Sequence, residues 1–433
     1  LGIHQVVVNM QSKSDEELTP EKNSQDSAAA AQNGLSKKQK HKMNMALGLM
    51  FLTVFIDLIG FGIIIPLLPQ YAKMFGASGL TVGLLLMSYS LMQFFFAPMW
   101  GRLSDKSGRR PVLLISLATS AVGYLIWGAS TSLAMLFISR IVAGFGNANL
   151  AVAQAYIADV TPEEYRSQGM GMIGAAFGLG FVLGPAIAGL ASFMGVHPNI
   201  LGFIAAGFSV VDLVFTAVFL PEPEKRKNNQ HNPFSLGLGY YFQTVANQKF
   251  ALSLFIIFIS TFAFANMETT LVLLTNQYYN FTMAQNSYLF VGLGLVMVLI
   301  QGGLIRRIGK KYPDSQLISV GTALVAIGLL LAPATHNLTV LCVALIILAT
   351  GSGINNPSNS SLLSKLSPKE ETGGVLGIGQ SISTLGRILG PVAGGFLFDT
   401  MGAASPYWLG AACMAIACAL SFKLPRMEKT APQ

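Results

Sequence analysis

The sequence predicts an all-α membrane protein: twelve transmembrane helices in two pseudo-symmetric six-helix bundles. Three observations predict it. Runs of about 20 apolar residues, the length that spans a bilayer, recur along the 433 residues. A basic motif between two such runs, Gly101-Arg-Leu-Ser-Asp105-Lys-Ser-Gly108-Arg109-Arg110-Pro111, returns as Gly302-Gly-Leu-Ile-Arg306-Arg-Ile-Gly309-Lys310-Lys311. The basic residues are confined almost wholly to one set of loops. Composition agrees: 52% of residues are hydrophobic and 11% charged, with a mean hydropathy of +0.56, where a soluble chain carries about 25% charge.

Residues 1–43 are polar and lack an apolar core, so a disordered cytoplasmic tail is expected. No apolar segment precedes the first span, so no cleavable signal peptide is expected, and Met10 is one candidate start. Spans 1 to 6 fall at 45–70, 80–100, 111–130, 133–158, 168–195 and 199–220. Together they make an N-terminal bundle over 44–220. Residues 221–249 form the one long internal loop, a polar linker followed by a mixed aromatic and polar stretch suited to the membrane surface. Spans 7 to 12 follow at 250–277, 285–304, 315–334, 338–363, 372–398 and 405–422, a C-terminal bundle over 250–422 with a tail over 423–433.

The net charge of +8 does not point to nucleic acid. Of the 27 Lys and Arg residues, Arg140 and Arg387 lie inside spans and Lys73 in an odd-to-even loop. The others occupy the tails and the even-to-odd loops. That asymmetry places both termini in the cytoplasm by the positive-inside rule, in a plasma or inner membrane. Cys342, Cys413 and Cys418 lie in spans without ligand spacing and read as packing residues, so neither a disulfide nor a metal site is expected.

Further markers repeat in register. Thr161-Pro162-Glu163-Glu164 is echoed by Ser367-Pro368-Lys369-Glu370 at a spacing of 206. Gly180-x3-Gly184-Pro185-x3-Gly189 in span 5 returns as Gly386-x3-Gly390-Pro391-x3-Gly395 in span 11, also at 206. Small residues on one face let helices pack closely. Two parallel six-helix halves fit alternating access about a central site.

Asp57-Leu-Ile-Gly-Phe-Gly-Ile-Ile-Ile-Pro66 in span 1, Gln93-Phe-Phe-Phe-Ala-Pro98 in span 2, the basic loop, Arg140-Ile-Val-Ala-Gly144 in span 4, Tyr156-Ile-Ala-Asp159-Val-Thr161 and Gly184-Pro185 carry a resemblance. The chain resembles the major facilitator superfamily over 45–422. Within it, the chain is similar to the twelve-span drug:proton antiporters, the tetracycline-resistance exporters among them. The tetracycline exporters carry an acid in span 3, where Gly123 stands here, so tetracycline itself is not the expected substrate.

An ionised side chain inside a span costs roughly 2.5–3.5 kcal/mol on insertion scales, so each intramembrane charge needs a reason. Asp57 is read as a proton site and Arg140 as its partner, with a purely structural pair as the alternative. Glu268 in span 7 and Arg387 in span 11 are the corresponding pair of the second half. Glu268 favours a cationic or zwitterionic amphiphile. Asp212 in span 6 is left open between facing a neighbouring helix and reaching water. In the basic loop, Gly101 and Gly108 are read as permitting close approach and a tight turn. Asp105 is read as sitting at a helix N-terminus, and Arg109 or Arg110 as reaching Asp159. The resemblance implies that these residues form a latch between the halves. Cavity candidates are Tyr89, Gln93, Asn147, Asn149, Gln154, Asn266, Asn355, Asn356 and Gln380, each with an interhelical hydrogen bond as its alternative. Gly180, Gly184, Pro185, Gly390 and Pro391 form the packing motif.

The expectation is a monomeric multidrug-efflux antiporter, proton-coupled, exporting a lipophilic small molecule or drug, with a cationic one as an option. The proton is the coupling ion and no cofactor is needed. Proton-driven metabolite uptake is the alternative, and a non-transporting receptor or scaffold a third. No nucleophile–base pair, metal cluster or phosphate loop points to an enzyme.

Overall fold

The computed structural model describes residues 37–146, 150–161, 163–223, 243–334, 336–368 and 372–425. The described chain is helical throughout its spans. Span 1 is Lys37–Ile64, followed by a short helix, Leu68–Met74. Span 2 is Gly79–Ser107 and span 3 Arg109–Gly128. Span 4 is described as Leu133–Gly146 and Leu150–Val160, span 5 as Glu163–Phe193 and span 6 as Pro198–Phe219. Span 7 is Gln248–Tyr279. Span 8 runs from Met283 through a π-helical turn, Ile300–Leu304, to Lys311. Spans 9 to 12 are Asp314–Leu331, Leu338–Leu366, Thr372–Met401 and Ser405–Ser421.

Eleven described helices are long and apolar enough to cross a membrane. The twelfth, Ser405–Ser421, is apolar but only 17 residues long, about 25 Å of helix against about 30 Å of hydrocarbon. Span 2 continues well past its expected end. Most of the basic motif is the last two turns of this helix, and the true turn is Gly108 alone, at φ 102° with its N–H on Ser104 O. That left-handed conformation favours glycine.

The chain divides into two units at Gly48, and spans 2 to 12 all lie in the second. Buried apolar side chains there form two clusters, one from 59–206 and one drawn mainly from 250–424. Helix pairing repeats between the halves. Span 3 packs on spans 4 and 6, and span 9 packs on spans 10 and 12. The halves meet through span 2 on span 11 and span 5 on span 8.

The repeated glycines bring further helix pairs into close approach. A Cβ on Gly184 would lie 2.6 Å from Gly62 Cα, and one on Gly390 2.6 Å from Phe262 O. Span 5 thus presses on span 1 as span 11 presses on span 7. Outward, Val211, Val214 and Val218 expose one face of span 6, as a lipid-facing surface requires. The opposite face, with Leu201, Ala205, Ser209, Asp212 and Thr216, is buried.

Candidate functional site

A layer of charge crosses the middle of the bundle. A small cavity of about 40 Å³ is lined by Phe61, Tyr89, Arg140, Glu268, Arg387 and Pro391, among others. It has room for a few waters. Arg140 is 2% exposed, and its guanidinium lies 5.6 Å from the Tyr89 ring and 5.2 Å from the Trp127 ring. Cation–π contact offsets part of the cost of that burial. Its Nε and Nη2 have no hydrogen-bond partner among the described residues. Asp57 and Arg140 are each within electrostatic reach of Tyr89 and Tyr124. Glu268 is in reach of Arg387. Arg140, Glu268 and Arg387 thus line one small cavity, and Asp57, from the N-terminal half, is in electrostatic reach of Tyr89 at its wall.

A second, larger cavity of about 440 Å³ lies on the basic-loop side of this layer. Spans 4 and 5 give Gln154, Phe177 and Phe181 among others, and spans 7 to 12 supply the rest. Arg387 lines both cavities and is the one charged residue among the described residues lining the larger one. Gln154, Asn355, Asn356 and Gln380 line it. Asn355 is also held in place: its amide donates to Ser260 Oγ at 2.8 Å, and Asn359 Nδ2 donates to Asn355 Oδ1 at 2.8 Å.

Other candidates fall elsewhere. Asn266 turns away from the cavity and donates to Pro406 O at 2.8 Å, binding span 7 to span 12. Tyr89 faces the small cavity, and Gln93, half-buried, lines neither. Asn147 and Asn149 lie outside the described residues. The aromatic lining from Phe177 and Phe181 was not expected. Their four-residue spacing on span 5 was the available signal. Gly123 explains its own identity, since a Cβ there would lie 2.7 Å from Ala143 N. No carboxylate fits at that point.

The basic end carries a polar network. Arg109 Nη1 pairs with Asp105 Oδ1 at 2.6 Å, and Arg109 Nε with Asp159 Oδ2 at 2.8 Å. All three residues belong to the N-terminal half. Arg110 is spent differently, with Nη2 donating to Ala217 O on span 6. Two expectations are corrected. Asp105 stands in the last turn of span 2, a helix C-terminus, because the helix runs on to Ser107. The carboxylate at a helix N-terminus is instead Glu222, which accepts Arg109 N at 2.6 Å and Arg110 N at 2.8 Å. Gly101 is not a close-approach point here: a Cβ would meet open space.

The Arg109–Asp159 contact recurs in the second half with its polarity exchanged. Asp314, at the start of span 9, pairs with Lys365, near the end of span 10. These positions follow Arg109 and Asp159 at spacings of 205 and 206. The register of the repeat contained this signal, and the reversal of charge hid it.

At the opposite end the halves are closed. Asp399, near the end of span 11, accepts Gly79 N and Leu80 N at 2.8 Å each. It caps the first turn of span 2 from the other half. Gln70 Nε2 donates to Phe281 O at 3.0 Å. One turn in, Gly83 meets the Pro391 backbone, where a side chain has no room.

Comparison with known proteins fits this architecture. The family model of the Major Facilitator Superfamily matches residues 50–313 and 306–433. The chain is 30% identical to major facilitator superfamily domain-containing protein 10 of Mus musculus over 437 residues, covering 87% of the chain and 90% of that protein. It is 31% identical to the class H tetracycline resistance protein of Pasteurella multocida, over 85% and 92% of the two. The crystal structure of the human organic anion transporter MFSD10 superposes with a TM-score of 0.67 at 26% identity, covering 88% of this chain and 99% of that one. The chain is a multi-pass membrane transporter of the Major Facilitator Superfamily.

Proposed function

We propose that the chain is a proton-coupled secondary transporter that exports a lipophilic small molecule by alternating access. The observation that carries this reading is the double position of Arg387. It lines the small cavity with Glu268 and Arg140, and the large cavity where a substrate fits. A ligand reaching Arg387 therefore acts directly on the charges of the proton layer. Closure at the Asp399 end and a cavity on the basic-loop side support an inward-facing state, given the cytoplasmic placement of the basic loops.

The cavity lining favours a different head group from the one Glu268 alone suggested. Glu268 sits in the charge layer rather than in the large cavity, where Arg387 is the one charge among the described residues. An anionic or hydrogen-bonding head on an aromatic body suits Arg387, Gln154, Asn356, Phe177 and Phe181 better than a cation. The human relative of known structure is an organic anion transporter, which agrees with this choice.

One observation favours a second reading. Glu268 and an anionic ligand compete for the same cation, Arg387. Protonating Glu268 frees Arg387, so anion and proton binding assist each other by linkage. That sign suits symport, unless the exchanged proton is carried in the N-terminal half, apart from the substrate.

Acid-loaded inside-out vesicles separate the two. Proton release on adding an anionic amphiphile supports coupled export; proton movement in the same direction as the substrate supports symport. Absence of both, in folded protein, removes proton coupling.

A further inference from the structure

Span 6 has one face toward lipid, yet its buried face carries a carboxylate that none of the functional roles above uses. Asp212 is fully buried, and Thr216, one turn on, donates from Oγ1 to Asp212 Oδ1 at 3.3 Å. Thr216 Oγ1 lies 3.1 Å from Thr53 Oγ1 on span 1. Since the Thr216 hydrogen goes to the carboxylate, Thr53 is the donor in the second bond. Thr53 stands one turn before Asp57. Spans 1 and 6 run antiparallel, so the threonine contact sets Asp57 and Asp212 at one depth, a turn farther from the basic end. The two carboxylates are in electrostatic reach, and Asp57 is 3% exposed.

The surroundings are polar and under-satisfied. Asp212 Oδ2, Ser209 Oγ and Tyr124 OH are buried and have no hydrogen-bond partner among the described residues. Tyr124 and Ser209 flank Gly60, one turn from Asp57. The charged and titratable groups facing this layer are Asp57 from span 1, Tyr89 from span 2, Tyr124 from span 3 and Arg140 from span 4, with Arg387 from span 11 in electrostatic reach of Tyr89 and Glu268 from span 7 in the small cavity beside Arg140 and Arg387. At the basic end of span 6, Arg110 reaches Ala217 O. Near the layer there are thus two cations, Arg140 and Arg387, and three carboxylates, Asp57, Asp212 and Glu268. Like charges that share a dry site do not both stay ionised, and a single proton balances the set.

We propose that Asp212 and Asp57 form a carboxylate pair that holds one exchangeable proton, with Thr216 and Thr53 as its hydroxyl chain toward the basic end. This rests on the proton-coupled reading and deepens it. It puts the carried proton in the N-terminal half, away from the substrate cavity, which is what exchange of an anion for a proton requires.

The test is infrared difference spectroscopy of the purified full chain in lipid nanodiscs, titrated over pH without substrate. Wild type, Asp212→Asn and Asp57→Asn are compared in the protonated-carboxyl region. The expected result is a pair signal whose midpoint moves by about one pH unit or more when either partner is replaced, as coupled sites require. An identical signal and midpoint in wild type and Asp212→Asn would overturn the pair. If Asp212→Asn does not fold, Thr216→Val keeps both carboxylates. Its midpoint is expected to move, and an unmoved one rejects the pair. The readout needs no transport. A pair signal without substrate-driven proton release would sink the transport reading alone; release with an unmoved Asp212→Asn titration would sink the pair alone.

Discussion

Asp399 accepts the Gly79 backbone N–H at 2.8 Å, so the last turn of span 11 caps the first turn of span 2 across the boundary between the halves. The bond exists only while this end is closed. Replacing Asp399 with Ala removes both acceptors of that cap. The site is exposed, so the loss is about 1 kcal/mol, near a fivefold shift in population toward the state open at this end. Spin-label distances between the ends of spans 2 and 11 measure it. An unchanged distance distribution would show that the cap does not hold the gate.

Lys73 adds a pH dependence to the same gate. It is half-buried, 5.7 Å from the Phe398 ring. Burial lowers its pKa from the ordinary 10.5, outweighing the opposing pull of Asp399. The closed state then binds fewer protons than an open state in which Lys73 is hydrated. Closure is therefore favoured as pH rises between the lowered value and 10.5. The accessibility of a cysteine introduced into the Leu68–Met74 helix should fall over that window, and the slope should vanish in Lys73→Met.

The glycines sort by what surrounds them. Gly184→Ala places a methyl against Gly62 and is expected to cost about 1–3 kcal/mol. Gly101→Ala meets open space and should stay within about 0.5 kcal/mol. Thermal unfolding in detergent compares them. If Gly101→Ala nevertheless abolishes transport, its role belongs to a conformation in which the halves meet at the basic end.

This contrast marks what the sequence made legible. Apolar length, the basic motif and the 206-residue register are one-dimensional patterns, and they placed the spans, the glycine seams and the intramembrane charges. Which way a side chain turns is not such a pattern. Asn266 faces Pro406 and Asn355 the cavity because of helix rotation, which composition does not encode. Glu222 and Asp399 act through backbone N–H groups distant in sequence, so no motif announced them. Asp105 was misplaced because span 2 runs two turns past the end of its apolar stretch.

Glu222 is the simplest of these to test. Its carboxylate accepts two N–H groups at the start of span 3. Glu222→Ala should cost about 1 kcal/mol, as loss of an N-cap does, and free the linker from the basic turn. Limited proteolysis after Glu222 should quicken in the variant. Equal rates in variant and wild type would mean that the cap does not tether the linker.

The proposed transport cycle couples substrate to a proton through the charge layer. Its most direct measurement is proton release from acid-loaded inside-out vesicles on addition of anionic, neutral and cationic amphiphiles, for wild type, Asp57→Asn and Arg387→Gln. Release with a defined compound class is expected in wild type, with loss of release in Asp57→Asn and loss of the response to anions in Arg387→Gln. Undiminished release in Asp57→Asn, in protein shown to be folded, would contradict it.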